Sequence, residues 1–496
     1  MVMENNSKNN IMSSLFWKFA ERIGAQGVNL IVSIALARIL APEDYGAVAL
    51  ITIFIAICNV FIENGLSTAL IQKKDADDLD FSSVFYCNIA ISTILYIVIF
   101  LFAPVIAEFY GMSELTLLIR VLGISILIAG LKSIQNAYVS RKMIFKKFFI
   151  CTSVGTVGSA VVGIWMAYNG YGVWALVVQQ LFNTTVDTLM LWITVKWRPI
   201  WAFSMDRLKK LFHFGWKMLC SALLDRIYNE LYGLVIGRIY NSESLAYYNK
   251  GNQFPAIIAE NINGSISSVM LPALSNEQED ENKVKSMMSR SIKLGSFILF
   301  PLMVGLAVVA EIFVRLVLTD KWLPAVPLMQ LLCFSYIFWP IHTVNLQAIS
   351  AMGRSDIYLK LEIIKKVIGI VALLISCPFG ITVMAVMKIV TSIVSTFINS
   401  YPNKKLLNYT FKEQLRDILP AFWVSIAMGA IVYAMGKIVD VASMSSIKLL
   451  LYLILQIVTG AVIYIGLARL FKFDSLTYLI NSIKGKLRNI SLEKEE

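Results

Sequence analysis

Residues 82–109 read Ser82-Ser-Val-Phe-Tyr-Cys-Asn-Ile-Ala-Ile-Ser-Thr-Ile-Leu-Tyr-Ile-Val-Ile-Phe-Leu-Phe-Ala-Pro-Val-Ile-Ala-Glu-Phe109. The stretch carries one charged residue, Glu108, at its end. Roughly 20 apolar residues in a helix cross the ~30 Å hydrocarbon core of a bilayer. This segment is therefore a membrane span, and lipid is the solvent in which the rest of the chain is read. The composition agrees: 57% of the 496 residues are hydrophobic and 15% are charged, where a soluble chain carries about a quarter charged.

Working outward with the same ruler gives fourteen spans: 13–39, 44–70, 82–109, 113–139, 145–168, 171–196, 208–239, 243–272, 289–318, 324–351, 356–377, 379–400, 414–437 and 446–470. The start, Met1 to Asn10, is polar, and the first apolar stretch is long and holds Glu21 and Arg22. It reads as a retained span and not as a cleavable leader. The expected fold is an all-α polytopic membrane protein.

The loops set the orientation. The alternate loops beginning with the N-terminus hold 30 of the 44 Lys and Arg residues, and the opposite set holds six. Cytoplasmic loops collect Lys and Arg, so both termini are expected in the cytoplasm. The same bias explains the net charge of +12 without nucleic acid. The tail, 471–496, is basic and reads as an amphipathic segment on an anionic leaflet or as a solvated tail.

Shifting the chain on itself by 200 residues pairs Asn29 with Asn229, Arg38-Ile39 with Arg238-Ile239, and Glu43 with Glu243. Phe54, Ala56-Ile57, Ile62 and Ser67 recur as well. Six spans per half makes the repeats parallel, related by an axis along the membrane normal. The expected organisation is an N-lobe (1–200), a C-lobe (201–403), an added helix pair (404–470) and the tail, with a cavity where the lobes meet.

A charge at mid-bilayer costs roughly 2.5–3.5 kcal/mol on insertion scales, so such residues face water or a partner. Span one places Lys18, Arg22, Gln26, Asn29 and Ser33 on one helix face. Span seven does the same with His213, Lys217, Ser221, Asp225 and Asn229, flanked by Arg226 and Glu230. Span eight adds Lys250, Gln253, Glu260 and Asn263. One reading is a cationic cavity for an anionic head group, for which Arg suits phosphate because its fork donates two hydrogen bonds. The other is internal pairing, of Glu21 with Arg22 or Lys18 and of Asp225 or Glu230 with Arg226. Arg120 is a further candidate for the cavity wall. Lys132 is a second, with Asp187 as its alternative partner. Glu63, Asp225 and Glu260 are candidates for a coupling ion. Lys388 has no partner legible in the sequence. Tyr247-Tyr248, beside Lys250, is a candidate glycan contact. His213 reads as an interfacial side chain.

The outer loops are short, no GxxxxGK[ST] phosphate loop occurs, and no Ser/His/Asp arrangement stands out. Catalytic residues, cofactors and metals are not expected. The six cysteines, Cys58, Cys87, Cys151, Cys220, Cys333 and Cys377, lie scattered in apolar stretches and read as small buried hydrophobes.

Four segments carry a family likeness: Leu36-Ala-Arg-Ile-Leu-Ala-Pro-Glu-Asp-Tyr-Gly46, Glu63-Asn-Gly-Leu-Ser-Thr-Ala-Leu-Ile-Gln72, Asn136-Ala-Tyr-Val-Ser-Arg-Lys-Met-Ile-Phe-Lys146 and Tyr171-Gly-Val-Trp-Ala-Leu. Together they resemble the Wzx-type polysaccharide flippases of the multidrug/oligosaccharidyl-lipid/polysaccharide exporter superfamily, in the branch handling colanic acid, teichuronic acid and similar units. The resemblance implies a two-lobe, fourteen-helix transporter in the bacterial inner membrane that flips undecaprenyl-pyrophosphate-linked oligosaccharides. It implies a substrate-engaging role for Arg22, and extends it to Lys217, Arg226 and Lys250. Expected partners are the lipid-linked oligosaccharide, membrane lipids, and a polysaccharide polymerase with its chain-length regulator. The alternatives are a multidrug or cation antiporter of the same superfamily, a peptidoglycan-precursor flippase, and a membrane-embedded polymerase.

Overall fold

The computed structural model describes residues 24, 26–73, 75–439 and 444–481, and among them there are helices and turns and no strand. The chain divides into two compact units, one running through Ala246 and the other starting at Tyr247. The first holds α1 (Gln26–Ile39), α2 (Pro42–Glu63), α3 (Leu66–Gln72), α4 (Asp78–Tyr110), α5 (Leu115–Lys142), α6 (Phe145–Tyr168), α7 (Val173–Thr194) and α8 (Met205–Ile239). Helix α9 (Ser242–Ser275) begins in the first unit and runs into the second. There follow α10 (Glu281–Val317), α11 (Ala325–Tyr336), α12 (Trp339–Ala351), α13 (Ser355–Ser376), α14 (Ile381–Leu406), α15 (Phe411–Ile438) and α16 (Ser446–Leu470).

Each of the fourteen expected spans is mostly helical over its described residues, and two of them are broken helices. Among the described residues, nine helical segments are long and apolar enough to cross a membrane. Helices α8 and α9 are 35 and 34 residues long, ample for a crossing. What sets them apart is polarity. The chain is an all-α, multi-pass membrane protein.

The first break in a helix lies at Asn64-Gly65, between α2 and α3, where one helix is expected over 44–70. The second is a two-residue turn at Ile337-Phe338, between α11 and α12. Pro255, Pro272 and Pro301 lie inside α9 and α10 without ending them. The close of the first hairpin repeats with the 200-residue offset: α1 ends at Ile39 and α2 opens at Pro42, while α8 ends at Ile239 and α9 opens at Ser242. At the first of these turns the Asp44 carboxylate accepts from the Ala41 amide. At the second the Asn241 side chain accepts from the Ser244 amide. Each supplies an acceptor to an amide at the start of its helix.

Within the first unit, α4 packs on α5, α6 on α7, and α2 on α8. Small residues let the backbones approach, as they do where no hydrophobic effect drives helix association in lipid. A Cβ on Gly237 of α8 would sit 2.3 Å from Leu50, and one on Gly233 2.8 Å from Ile53. Phe81, Phe85 and Trp197 gather with Leu70 and Ile134 in a buried core of this unit.

In the second unit α10 is central, packing on α11, α12, α15 and α16. Its core is stitched by polar side chains. Asn345 donates to Gln414 at 2.7 Å and Asn403 donates to Asn345 at 2.6 Å. His342 sits among Ser392, Thr396 and Asn399 of α14. In a lipid-surrounded bundle such groups must find partners in the protein.

Candidate functional site

The break in α2 is built, and it sets the position of Glu63. Gly65 has φ +120°, a backbone region that favours glycine. The break leaves the Ile62 carbonyl open, and the Ser67 hydroxyl donates to it at 3.1 Å. Asn88 of α4 approaches the same carbonyl at 3.5 Å and donates to Ser67 and Ser133 at 3.2 and 2.8 Å. On the other side Gly65 meets Gly215 of α8, where a Cβ would lie 2.6 Å from the Gly65 carbonyl oxygen. Glu63 ends α2 immediately before this break, and its side chain is exposed.

Helix α8 runs past the break with its polar face exposed. His213, Lys217, Ser221, Asp225 and Asn229 are all exposed, while Gly233 and Gly237 lie against α2. Four-residue steps place those five on one side of the helix. A side chain carrying charge in a membrane helix needs water or a partner at that position. Three of the neighbouring cations have partners in the protein. Arg226 pairs with Glu230 at 2.8 Å. Lys132 of α5 pairs with Asp187 of α7 at 2.5 Å. Arg120 lies 4.4 Å over the Phe100 ring and donates to the Phe100 carbonyl. Glu63 is within coulombic reach of both Lys132 and Arg226. Among the described residues Lys217 has no hydrogen-bond or ion-pair partner.

A pocket of about 750 Å³ opens beside the break, lined by Gly65, Cys87, Lys209, His213, Gly215 and Trp216 among others. Lys18 and Arg22, with Glu21, lie outside the described residues; of the same face of span one, Gln26 and Asn29 are exposed on α1 and Ser33 is half-buried.

The second unit holds a separate constellation on α9. Lys250 is 5% exposed, donates to Gln253 at 3.2 Å and sits 5.7 Å from the Trp322 ring centre. Tyr248 is buried and accepts from Lys388 of α14 at 3.2 Å. Lys388 also lies 5.8 Å from the centre of the Tyr336 ring, whose hydroxyl donates to Asn252. Glu260 is exposed on the same helix. Tyr248, expected as a glycan contact, is thus packed into the protein, and Lys388 has a partner 140 positions away in sequence. Cys220 corrects a further expectation: it is exposed, because it sits beside Ser221 on the polar side of α8. Among the described residues no three His, Cys, Asp or Glu side chains gather as a metal site.

The fold and site define an all-α multi-pass membrane protein whose long helices carry polar residues at exposed positions. The family described as polysaccharide biosynthesis protein matches residues 35–327. This chain belongs to that family, the Wzx-type polysaccharide flippases. It is 26% identical over 416 residues to the teichuronic acid biosynthesis protein TuaB of Bacillus subtilis (strain 168), covering 82% of this chain and 84% of that one. It is 22% identical over 432 residues to the lipopolysaccharide biosynthesis protein WzxC of Escherichia coli (strain K12), covering 86% and 87%. Among solved structures, the lipid II flippase MurJ in an inward closed conformation superposes with a TM-score of 0.74 at 17% identity, over 93% of this chain and 99% of that one. At that identity the likeness is one of fold.

Proposed function

We propose that the protein is a flippase that carries undecaprenyl-pyrophosphate-linked oligosaccharide units from the inner to the outer leaflet of the bacterial inner membrane by alternating access, with both termini cytoplasmic. The observation that carries this reading is the exposed polar face of α8, with Lys217 on it and without a partner among the described residues. An exposed ammonium on a membrane helix is suited to an anionic group arriving from outside the protein. The family and the names of TuaB and WzxC support an exopolysaccharide or lipopolysaccharide unit as the cargo.

In this reading Lys217 and, from span one, Arg22 and Lys18 meet the pyrophosphate. Arg226, Arg120 and Lys250 each hold a protein partner in this conformation and exchange it for substrate in another. Glu63, Asp225 and Glu260 are the acids proposed for a coupling ion. Chemistry on the glycan is left to a polymerase and a chain-length regulator. The test is a deletion strain, in which the lipid-linked oligosaccharide accumulates and export stops. Complementation by the Lys217→Arg chain restores export, whereas Lys217→Ala leaves the intermediate accumulating at normal protein level. Full export by Lys217→Ala refutes the role of this face. Drug efflux without any change in lipid-linked sugar returns the reading to a multidrug antiporter.

A further inference from the structure

A cationic pocket lies far along the chain from the polar face of α8 and has no part in the proposed passage of cargo. It is a cavity of about 530 Å³ in the second unit, between α10, α15 and the turn that follows α16. Helix α10 contributes Lys293 and Phe297, and α15 contributes Arg416, Asp417, Pro420 and Trp423. The turn contributes Phe471, Lys472 and Phe473, followed by Asp474.

The turn is built to bring its cation there. Lys472 has φ +53°, and the Phe473 amide reaches back to the Ala468 carbonyl at 2.9 Å. This is the 6→1 bond by which a chain reverses at the end of a helix. Phe473 then packs on Phe297, with ring centres 6.1 Å apart. Beyond it the tail helix, 474–481, is held to α10 by Arg290, which lies 3.8 Å over the Tyr478 ring.

The charges in the pocket are unevenly satisfied. Asp417 is occupied: it accepts from Ser289 at 2.6 Å and from Tyr409 at 2.5 Å, and it lies 3.3 Å from Lys293. Arg416 and Lys472 are both exposed, and neither side chain has a partner among the described residues. Lys293, Arg416 and Lys472 against Asp417 and Asp474 leave one formal positive charge in the lining. A phosphodiester carries one negative charge. Beside the cations stand Trp423 and Phe471, 62% and 61% exposed. Aromatic rings next to basic side chains are the composition of a bilayer interface, where rings sit at head-group depth and cations meet phosphate.

We propose that this pocket binds the head group of an anionic phospholipid of the surrounding bilayer. Arg416 and Lys472 hold the phosphate, and Trp423 and Phe471 flank the glycerol and the first acyl carbons. The site tethers the tail helix to the membrane surface next to α15. It is independent of the flippase reading, because none of the lining residues belongs to the face of α8 assigned to the cargo.

The test is native mass spectrometry of the purified full chain, exchanged into detergent with phosphatidylglycerol or phosphatidylcholine at matched concentrations. The expected result is retention of phosphatidylglycerol over phosphatidylcholine, with at least a tenfold loss of that preference in Arg416→Gln/Lys472→Gln. Each single variant should lose part of it, which keeps the test readable if the double variant folds poorly. Lys448→Gln, which removes an exposed cation at the start of α16, should keep it. Inorganic phosphate at millimolar concentration should not displace the lipid. Equal retention of both lipids, unchanged preference in the double variant, an equal loss in Lys448→Gln, or displacement by phosphate alone would each overturn the proposal. So would retention of a lipid-linked pyrophosphate in preference to phosphatidylglycerol at this pocket.

Discussion

The sharpest structural prediction concerns Gly215, where α8 crosses the break in α2. An added Cβ would lie 2.6 Å from the Gly65 carbonyl oxygen and 2.7 Å from its carbon. Ordinary contact begins near 3.4 Å, so Gly215→Ala must part the two helices by about 0.8 Å. Both groups are backbone, and no rotamer change relieves the clash. Overpacking of this kind costs about 1–3 kcal/mol. Alanine also gains about 0.8–1.0 kcal/mol over glycine in a helix interior, which masks part of that cost. Gly264→Ala in α9 is the matched control, because a Cβ there meets nothing within 4 Å. Both variants share the propensity gain, so their difference isolates the clash. Thermal melting of the purified full chain in one detergent, followed by tryptophan fluorescence, should place Gly264→Ala at or above the parent. Gly215→Ala should fall below Gly264→Ala by the equivalent of about 1–3 kcal/mol. Equal melting of the two variants would refute a close α8 crossing at the break.

Three further outcomes are expected. Lys132→Ala leaves Asp187, 7% exposed, without its cation and should destabilise by about 3–5 kcal/mol; Lys132→Ala/Asp187→Ala should melt higher than Lys132→Ala alone, and simple additivity would contradict the pairing. At the entry to α4, Arg207 hydrogen-bonds to Asp77 and holds its carboxyl down at about 2, against an ordinary 3.8. A depressed carboxyl stabilises the fold above its ordinary value and loses that contribution as pH falls through the folded one. The melting gap between the parent and Arg207→Ala should therefore narrow as pH drops below 4; a gap constant with pH would count against the contact. Lys217→Ala should lower glycan export by about tenfold or more at unchanged protein level, in keeping with one charge-assisted hydrogen bond of ~1.5–3 kcal/mol, and Lys217→Arg should retain it.

The all-helical membrane fold was legible because hydropathy is local: the stretch 82–109 announces itself, and α4 spans Asp78–Tyr110. The helix break at Asn64-Gly65 had a local signal in its turn-forming Asn-Gly pair, which the apolar run on either side masked. What holds the break open is Asn88, Ser133 and Gly215, distant in sequence. Pairing followed the same rule. Arg226 with Glu230 is a four-residue step on one helix and could be read directly. Lys388 with Tyr248 depends on how α14 packs against α9, which no local pattern reports. Lys132 with Asp187 lay between, suggested by matching depth in two neighbouring spans. The polar stripe of α8 was visible as spacing, and the structure added that this face is the exposed one. The polarity that makes α8 a candidate site is also what keeps it outside the nine clearly apolar spans.

The most direct test of the central claim is translocation itself. The purified full chain is reconstituted into vesicles bearing a fluorescent undecaprenyl-pyrophosphate oligosaccharide, and the label exposed to an impermeant quencher is followed over time. Label is expected to cross between leaflets in vesicles with the parent chain, and crossing should drop sharply with Lys217→Ala and Arg22→Ala. No crossing above protein-free vesicles, or equal crossing by the parent and both variants, would contradict it.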